Sequence, residues 1–120
     1  MTVLFAQFSG YQQFLQDSIP IPGLTLTIPQ GANELALVIL NVPGSHQVGE
    51  APGGQFNLSV DGVMLPEYAA YDLGRSQGFF PPRVPATLVV AVPMKLKNQT
   101  VVAFAQRCII DKTASLSIII

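Results

Sequence analysis

The chain has 120 residues, of which 49% are apolar and only 11% are charged, and its formal net charge is −1. The six basic residues are spread thinly and form no stripe for phosphates, so we do not expect nucleic-acid binding. No apolar run reaches the roughly 18 residues of a membrane-spanning helix, so no membrane insertion is expected. Mean hydropathy is nevertheless high, at +0.44. We therefore expect a single domain over 1–120 whose surplus apolar surface is covered in a subunit interface.

The beginning of the chain has no basic segment before its apolar residues, and no small-residue cleavage site stands out. We therefore predict no signal peptide, so that export or surface display would need a non-classical route. Cys108 is the only cysteine and lies in an apolar context. It is predicted to be a small buried side chain, since it has no partner for an internal disulfide.

The first half of the chain reads as β-strands separated by turns. Residues 3–8 can form a strand, and residues 24–28 alternate strictly, which predicts a half-exposed strand. Residues 35–43 are almost all apolar and end in Pro43, which predicts a strand that is covered on both faces and closed by the proline. Residues 43–54, rich in glycine and proline, are predicted to be irregular.

The second half continues the pattern. Residues 55–60 alternate, and the following Asp61-Gly62 pair is the strongest hairpin signal in the chain. Residues 86–92 form a predicted strand, and residues 100–106 are predicted to return antiparallel after a polar turn. Residues 114–120 are predicted to be a central strand packed at a symmetric contact. Many short strands without a helix indicate an all-β sandwich or jelly roll.

Few residues could carry catalysis. His46 is the only histidine and has no acidic neighbour in the sequence, and the acids show neither metal-ligand spacing nor a phosphate loop. We therefore expect neither an enzyme nor a cofactor. Arg75 and Arg83 flank the aromatic pair at 79–80, and arginines beside aromatic rings on loops suit sugar recognition. The alternative is interface packing by the phenylalanines, with the arginines in the solvated rim.

Several blocks of the chain occur in an order that resembles a known family. They are Ile21-Pro22-Gly23-Leu24, the stretch 37–43, the stretch 83–89, Ile110-Asp111, and Ala114-Ser115-Leu116-Ser117. Over residues 19–120 the chain is similar to the bacterial tumour-necrosis-factor-like lectin domain, the fucose-binding N-terminal half of two-domain superlectins. The resemblance implies a jelly-roll protomer, a tight homotrimer, sugar sites between neighbouring subunits, and no metal. Glycans, including fucosylated ones, would be its partners.

The resemblance also implies site residues. Arg83, in the block Arg-x-Pro-x-Thr-Leu-Val, matches a sugar-binding arginine of the family and would be the anchor. His46 and Gln55 fall where the family has tyrosines, and Arg107 is a candidate for a second family arginine. Lys112 stands where the family has a serine. We therefore predict a ligand site formed by Arg83, His46, Gln55 and Arg107, contributed by adjacent protomers.

Two other functions remain open at this point. The chain could be a structural trimerisation or adhesin-head module without a sugar site, in which case Arg83 would pair with an acid such as Glu67 or Asp72 inside the interface. It could also be a receptor-binding domain that uses the loop from Arg75 to Arg83 on a protein partner.

Overall fold

The computed structural model describes residues 1–47, 53–72 and 83–120, and these residues form strands and turns without a helix. In this part of the chain there is accordingly no helix long and apolar enough to span a membrane. In chain order the strands are β1 (Val3–Phe8), β2 (Gln12–Phe14), β3 (Ile19–Ile28), β4 (Leu35–Gln47), β5 (Gln55–Val60), β6 (Val63–Ala70), β7 (Val84–Pro93), β8 (Gln99–Gln106), β9 (Cys108–Ile110) and β10 (Ala114–Ile119).

The strands form two antiparallel sheets, so the all-β prediction is confirmed and the arrangement is consistent with a sandwich. The first sheet has the order β1-β10-β4-β9-β2, and β7 pairs with the other edge of β4. The second sheet has the order β3-β8-β5-β6. Strand β4 pairs with two strands along one of its edges: β10 pairs with residues 37–41, and β9 pairs with residues 45–47. Buried side chains from both sheets join in one core.

Strand β4 does not stop at the proline, so that part of the prediction is wrong. The strand runs on to Gln47, and its pairing with β7 shifts register between Val42 and Ser45. Pro43 has no N–H to donate, which is tolerated at such an irregularity. The residues beyond it are held as strand by pairing with Val84 on one side and with β9 on the other. Residues 43–47 of the predicted irregular stretch are therefore strand, and residues 48–52 of it lie outside the described part of the chain.

Strands β7 and β8 are also arranged differently from the prediction. Residues 84–93 pair with β4 in the first sheet, whereas residues 99–106 pair with β3 and β5 in the second. The polar turn between them thus crosses from one sheet to the other and does not close a hairpin. Local alternation identifies a strand but not its partner, because pairing is decided by tertiary contacts.

The predicted hairpin at Asp61-Gly62 is confirmed. It joins β5 to β6, and both turn residues have positive φ angles, 51° for Asp61 and 81° for Gly62. Positive φ at both central positions defines the type I′ turn that suits the right-handed twist of paired strands. The Asp61 carboxylate also accepts a hydrogen bond from the Thr100 backbone N–H at 2.8 Å, which ties the turn to β8.

The inner face of β4 carries the centre of the core. Leu40 lies between Leu88 of β7 and Leu116 of β10 in register, and all three side chains are buried. The outer face is different, because Leu35 and Leu37 remain 63% and 37% exposed. The prediction that this strand is covered on both faces is therefore wrong for the single chain. One face is covered by the second sheet, and the other is apolar and open.

The prediction that the last strand is central in its sheet is confirmed, and its packing at a symmetric contact stays a prediction. Strand β10 lies between β1 and β4, and Ile118 is completely buried. Ile119 and Ile120 are partly exposed. Ile119 lies on the outward face beside its register partner Leu37, whereas Ile120 packs against the core.

Cys108 is buried as predicted, with no exposed surface. Burial raises the pKa of its thiol to about 12, against a smaller opposing effect of the Arg107 charge. At pH 8 the reactive thiolate would be about one part in ten thousand of the thiol. We expect the native protein to resist a chromogenic disulfide reagent at pH 8 and to react stoichiometrically once unfolded in guanidinium. Rapid labelling of the folded protein would contradict this burial.

Candidate functional site

Arg83 and Asp111 form an ion pair across strand β4. Arg83 directly precedes β7, and Asp111 directly follows β9, so the two residues flank β4 on opposite sides. Each terminal nitrogen of the guanidinium donates to one carboxylate oxygen, with Nη2 2.7 Å from Oδ2 and Nη1 bonded to Oδ1. A bidentate pair of this kind holds both planar groups in one orientation.

Gly44 allows this pair to form over the strand. A Cβ at Gly44 would lie 3.4 Å from Cγ of Lys112 and 3.9 Å from Cδ of Arg83, so both side chains pass over the glycine. An alanine would be in ordinary van der Waals contact with them, whereas a larger side chain would occupy the path of the guanidinium. The register shift at Pro43-Gly44 therefore has a second effect. Because Gly44 has no side chain, Arg83 has room to pass over β4 to Asp111.

His46 is the third member of the group. Its Nε2 lies 3.7 Å from Oδ2 of Asp111, and its side chain is 18% exposed. Its Nδ1 is buried and has no hydrogen-bond partner among the described residues. Arg83, with a side chain 46% exposed, is the most accessible member. These three residues are called the Arg83 group below.

A second polar group contains the other two predicted site residues. Arg107 donates from Nη2 to Oε1 of Gln55 at 3.3 Å and from Nε to the Gly53 carbonyl at 3.4 Å. Gln55 in turn donates from Nε2 to Oδ1 of Asn57 at 3.2 Å. Arg107 has a positive φ of 55°, and its backbone N–H donates to the Leu15 carbonyl. The connection between β8 and β9 is therefore held by backbone and side chain together.

Tyr71 links the two groups. Its hydroxyl lies 2.9 Å from Oγ of Ser45, the neighbour of His46, and its backbone N–H donates to the Gly54 carbonyl at 3.0 Å. Its ring lies 6.4 Å from that of Phe56, centroid to centroid, at the edge of the core. Tyr71 thus lies between the Arg83 group and the Arg107 group, and this end of the molecule, with its polar side chains, is called the polar surface below.

Hydrogen bonds and burial at this surface shift the pKa values of Asp111, Arg83 and Tyr71. The hydrogen bonds from Arg83 hold the pKa of the Asp111 carboxyl below its usual range, and the same contact raises the pKa of Arg83. Burial raises the pKa of Tyr71, with the Ser45 hydrogen bond acting in the opposite direction. Asp111 is therefore a carboxylate acceptor and Tyr71 a neutral hydroxyl near neutral pH, so the surface offers both acceptors and donors to a ligand.

The described residues contain no group of three histidine, cysteine or acidic side chains that could hold a metal ion. At this surface His46 and Asp111 are the two such side chains that meet. These side chains can donate hydrogen bonds to, and accept them from, a ligand that carries hydroxyl groups.

Within one chain the sequence-predicted site residues fall into two pairs, one joined through a shared partner and one by a direct hydrogen bond. Arg83 and His46 share Asp111, and Gln55 and Arg107 share a hydrogen bond. Sequence reasoning missed Ser45 and the role of Asp111, although the Ile110-Asp111 pair was noticed as a block of the resemblance. The loop residues Arg75, Phe79 and Phe80 lie outside the described part of the chain.

No protein-family model matches the chain, and a search of curated proteins finds no match.

Proposed function

We propose that the protein is a trimeric, carbohydrate-binding jelly-roll module with sugar sites between protomers and Arg83 as the anchor of each site. The observation that carries the proposal is the Arg83 group, in which an accessible guanidinium, a carboxylate and an imidazole are held together at one end of the molecule. The sugar itself is left open by these residues, and fucosylated glycans are the first candidates to test.

The order of strands supports the jelly-roll assignment. In the first sheet the early strands β1 and β2 lie beside the late strands β10 and β9, which lie beside β4 and then β7. In the second sheet β3 lies beside β8, which lies beside β5 and then β6. Early and late strands thus alternate between the two sheets, as in a chain folded back on itself as a double-stranded ribbon and rolled up.

The open face of the first sheet supports the trimer. Phe5 of β1 and Val89 of β7 are 56% and 52% exposed, and Leu37 lies between their strands. Val3 and Leu35 extend the same face and are 55% and 63% exposed. An apolar face of this kind across four adjacent strands is typical of an interface. Part of the apolar excess of the composition is therefore exposed on this face.

The remaining hydrogen-bonding capacity of the Arg83 group suits a sugar. A guanidinium carries five N–H donors, of which Asp111 takes two, and a carboxylate can accept more bonds than the two it receives here. Adjacent hydroxyls of a sugar could therefore meet Arg83 and Asp111 together. His46, Gln55 and Arg107 would supply secondary contacts. Arg83 precedes β7, an edge strand beside the open face, so a neighbouring protomer on that face would come close to it.

The test is a glycan array followed by titration calorimetry on the strongest glycan. We expect Arg83→Ala to weaken binding by about 10- to 100-fold, the loss typical of charge-assisted hydrogen bonds. Lys97→Ala, which removes one positive charge at the other end of the molecule, is the matched control and should bind like the native protein. Absence of glycan binding by the native trimer, or unchanged binding by an intact Arg83→Ala trimer, would reject the proposal.

A structural trimerisation module without a sugar site is the second candidate. The observation in its favour is that Arg83 already has an acidic partner, which is Asp111 of the same chain. If the protein is such a module, Arg83→Ala should reduce assembly, and the native protein should bind no glycan. Light scattering on the same two variants therefore separates the two functions.

A further inference from the structure

A cavity of about 440 Å³ lies at the opposite end of the molecule from the Arg83 group. It opens between the turn that joins β5 to β6 and the connection from β7 to β8. Gln55 begins β5 and Asp61 follows its last residue, so the whole strand separates the two ends. The cavity volume lies within the range of small-molecule sites, roughly 300–1,000 Å³.

The walls of this cavity are mostly aliphatic and come from both sheets. They consist of Val60, Val63, Leu65, Val92 and Pro93. Val63 is 68% exposed, so one wall is open to solvent in the single chain. Covering such walls with the apolar body of a ligand is favourable because it removes hydrocarbon surface from water.

Gln99 supplies an unused acceptor beside these walls. The residue is only 2% exposed, and its Oε1 is buried without a hydrogen-bond partner among the described residues. Most buried polar atoms in folded proteins are paired, and an unpaired one lowers stability. This oxygen has no accessible surface in the unliganded protein, so the Gln99 amide would have to turn toward the cavity before a ligand N–H or O–H group could pair with it.

The charges at the rim favour an anion. Nζ of Lys97 lies 3.6 Å from Oδ2 of Asp61, so that lysine already has a counter-ion. The other oxygen of Asp61 accepts the Thr100 N–H. Lys95 also lines the cavity, and no described carboxylate lies within 4 Å of its ammonium group. The spare charge at the rim is therefore positive.

We propose that this cavity binds a small aromatic or aliphatic carboxylate that carries one N–H or O–H donor. The apolar body lies against the valine, leucine and proline walls, the donor meets Gln99, and the carboxylate meets Lys95. The site does not depend on the sugar site, because it uses other residues at the other end of the molecule.

The test is a calorimetric and NMR titration with indole-3-acetate, which combines an apolar ring, an N–H donor and a carboxylate. Two analogues remove one feature each: 1-methylindole-3-acetate has no N–H donor, and indole-3-acetamide has no charge. We expect both analogues to bind about tenfold more weakly than indole-3-acetate. The amide signals of residues 60–65 and 92–99 should shift on titration, and those of residues 44–46 should not.

Two variants assign the contacts. Gln99→Leu should remove the preference for indole-3-acetate over its 1-methyl analogue, and it should raise the melting temperature of the unliganded protein because the unpaired acceptor is gone. Lys95→Gln should remove the preference for the carboxylate over the carboxamide. Lys112→Gln, a charge loss at the other end, is the control and should preserve both preferences.

Three results would overturn the proposal. They are no binding of indole-3-acetate at millimolar concentration, equal binding of all three probes, and binding whose shifts lie away from the cavity. Failure here would leave the Arg83→Ala glycan result unaffected, and loss of glycan binding in Arg83→Ala would leave the indole-3-acetate titration unchanged. The two proposals therefore succeed or fail separately.

Discussion

Leu37→Glu is expected to convert the assembled protein into a folded monomer. Leu37 lies on the open face of the first sheet, with Ala91 and Ile119 as its register partners. In a trimer built on this face the substitution places three carboxylates at the contact. Removing one ion from water without a partner costs several kcal/mol. The desolvation of three carboxylates therefore outweighs the free energy gained by burying apolar surface in the interface. Light scattering should fall from three times the 12.8 kDa chain mass to that mass alone.

The matched control is Leu96→Glu. Leu96 is 82% exposed in the connection between β7 and β8, outside the strands that form the open face, and should tolerate the carboxylate without loss of assembly. Circular dichroism should show β-structure in both variants, because the Leu37 side chain points away from the core. A native protein that is monomeric at micromolar concentration, or a Leu37→Glu variant that stays trimeric, would contradict the proposed assembly.

Leu40→Ala is expected to cause the largest loss of stability among single substitutions in β4. Leu40 is 1% exposed and lies between the buried Leu88 and Leu116. Truncating a buried leucine leaves a cavity and typically costs about 2–5 kcal/mol. Because small domains have a total stability of roughly 5–15 kcal/mol, the denaturation midpoint should fall markedly. Urea denaturation of all variants at one fixed protein concentration makes their midpoints comparable, because the apparent stability of an assembling protein depends on that concentration.

Leu96→Ala makes the same chemical change at an exposed site and should alter the free energy of unfolding by less than about 0.5 kcal/mol. Similar losses for the two variants would mean that Leu40 is not at the centre of the core. A loss at Leu40 that disappears at high protein concentration would instead place this residue in the interface.

Local signals were sufficient for much of the fold. Strict alternation over residues 24–28 correctly predicted a half-exposed strand, in which Leu24 and Ile28 are buried, because side chains of a strand alternate between its faces. The Asp61-Gly62 turn was predictable because few residue pairs accept positive φ at two successive positions. These features depend on a few neighbouring residues and need no knowledge of the partner strand.

Which strands pair with each other was harder to predict from the sequence. Residues 99–106 alternate equally well as the partner of β7 or as a member of the opposite sheet, and the structure places them beside β3 and β5. Strand β4 continues beyond Pro43 because β9, more than 60 residues later in the chain, pairs with its end. Neither fact is visible in a local window of sequence, since both depend on contacts between distant segments.

The candidate site likewise has residues that were predicted from the sequence and one that only the structure revealed. Arg83, His46, Gln55 and Arg107 were named from the sequence through a resemblance, and the structure brings them together in two pairs at one end. Asp111 escaped notice as a site residue, because the chain has seven acidic residues and nothing local distinguishes the one that faces an arginine.

Composition and periodicity by themselves determined that this chain is built of strands, that Cys108 is buried, and that apolar surface exceeds what one small domain is expected to need. The tertiary structure decided which strands pair, which face of β4 stays open, and that Arg83 reaches Asp111 across Gly44. The reason is physical: burial and turn geometry depend on nearby residues, whereas an ion pair over a strand needs three distant segments to meet in one register.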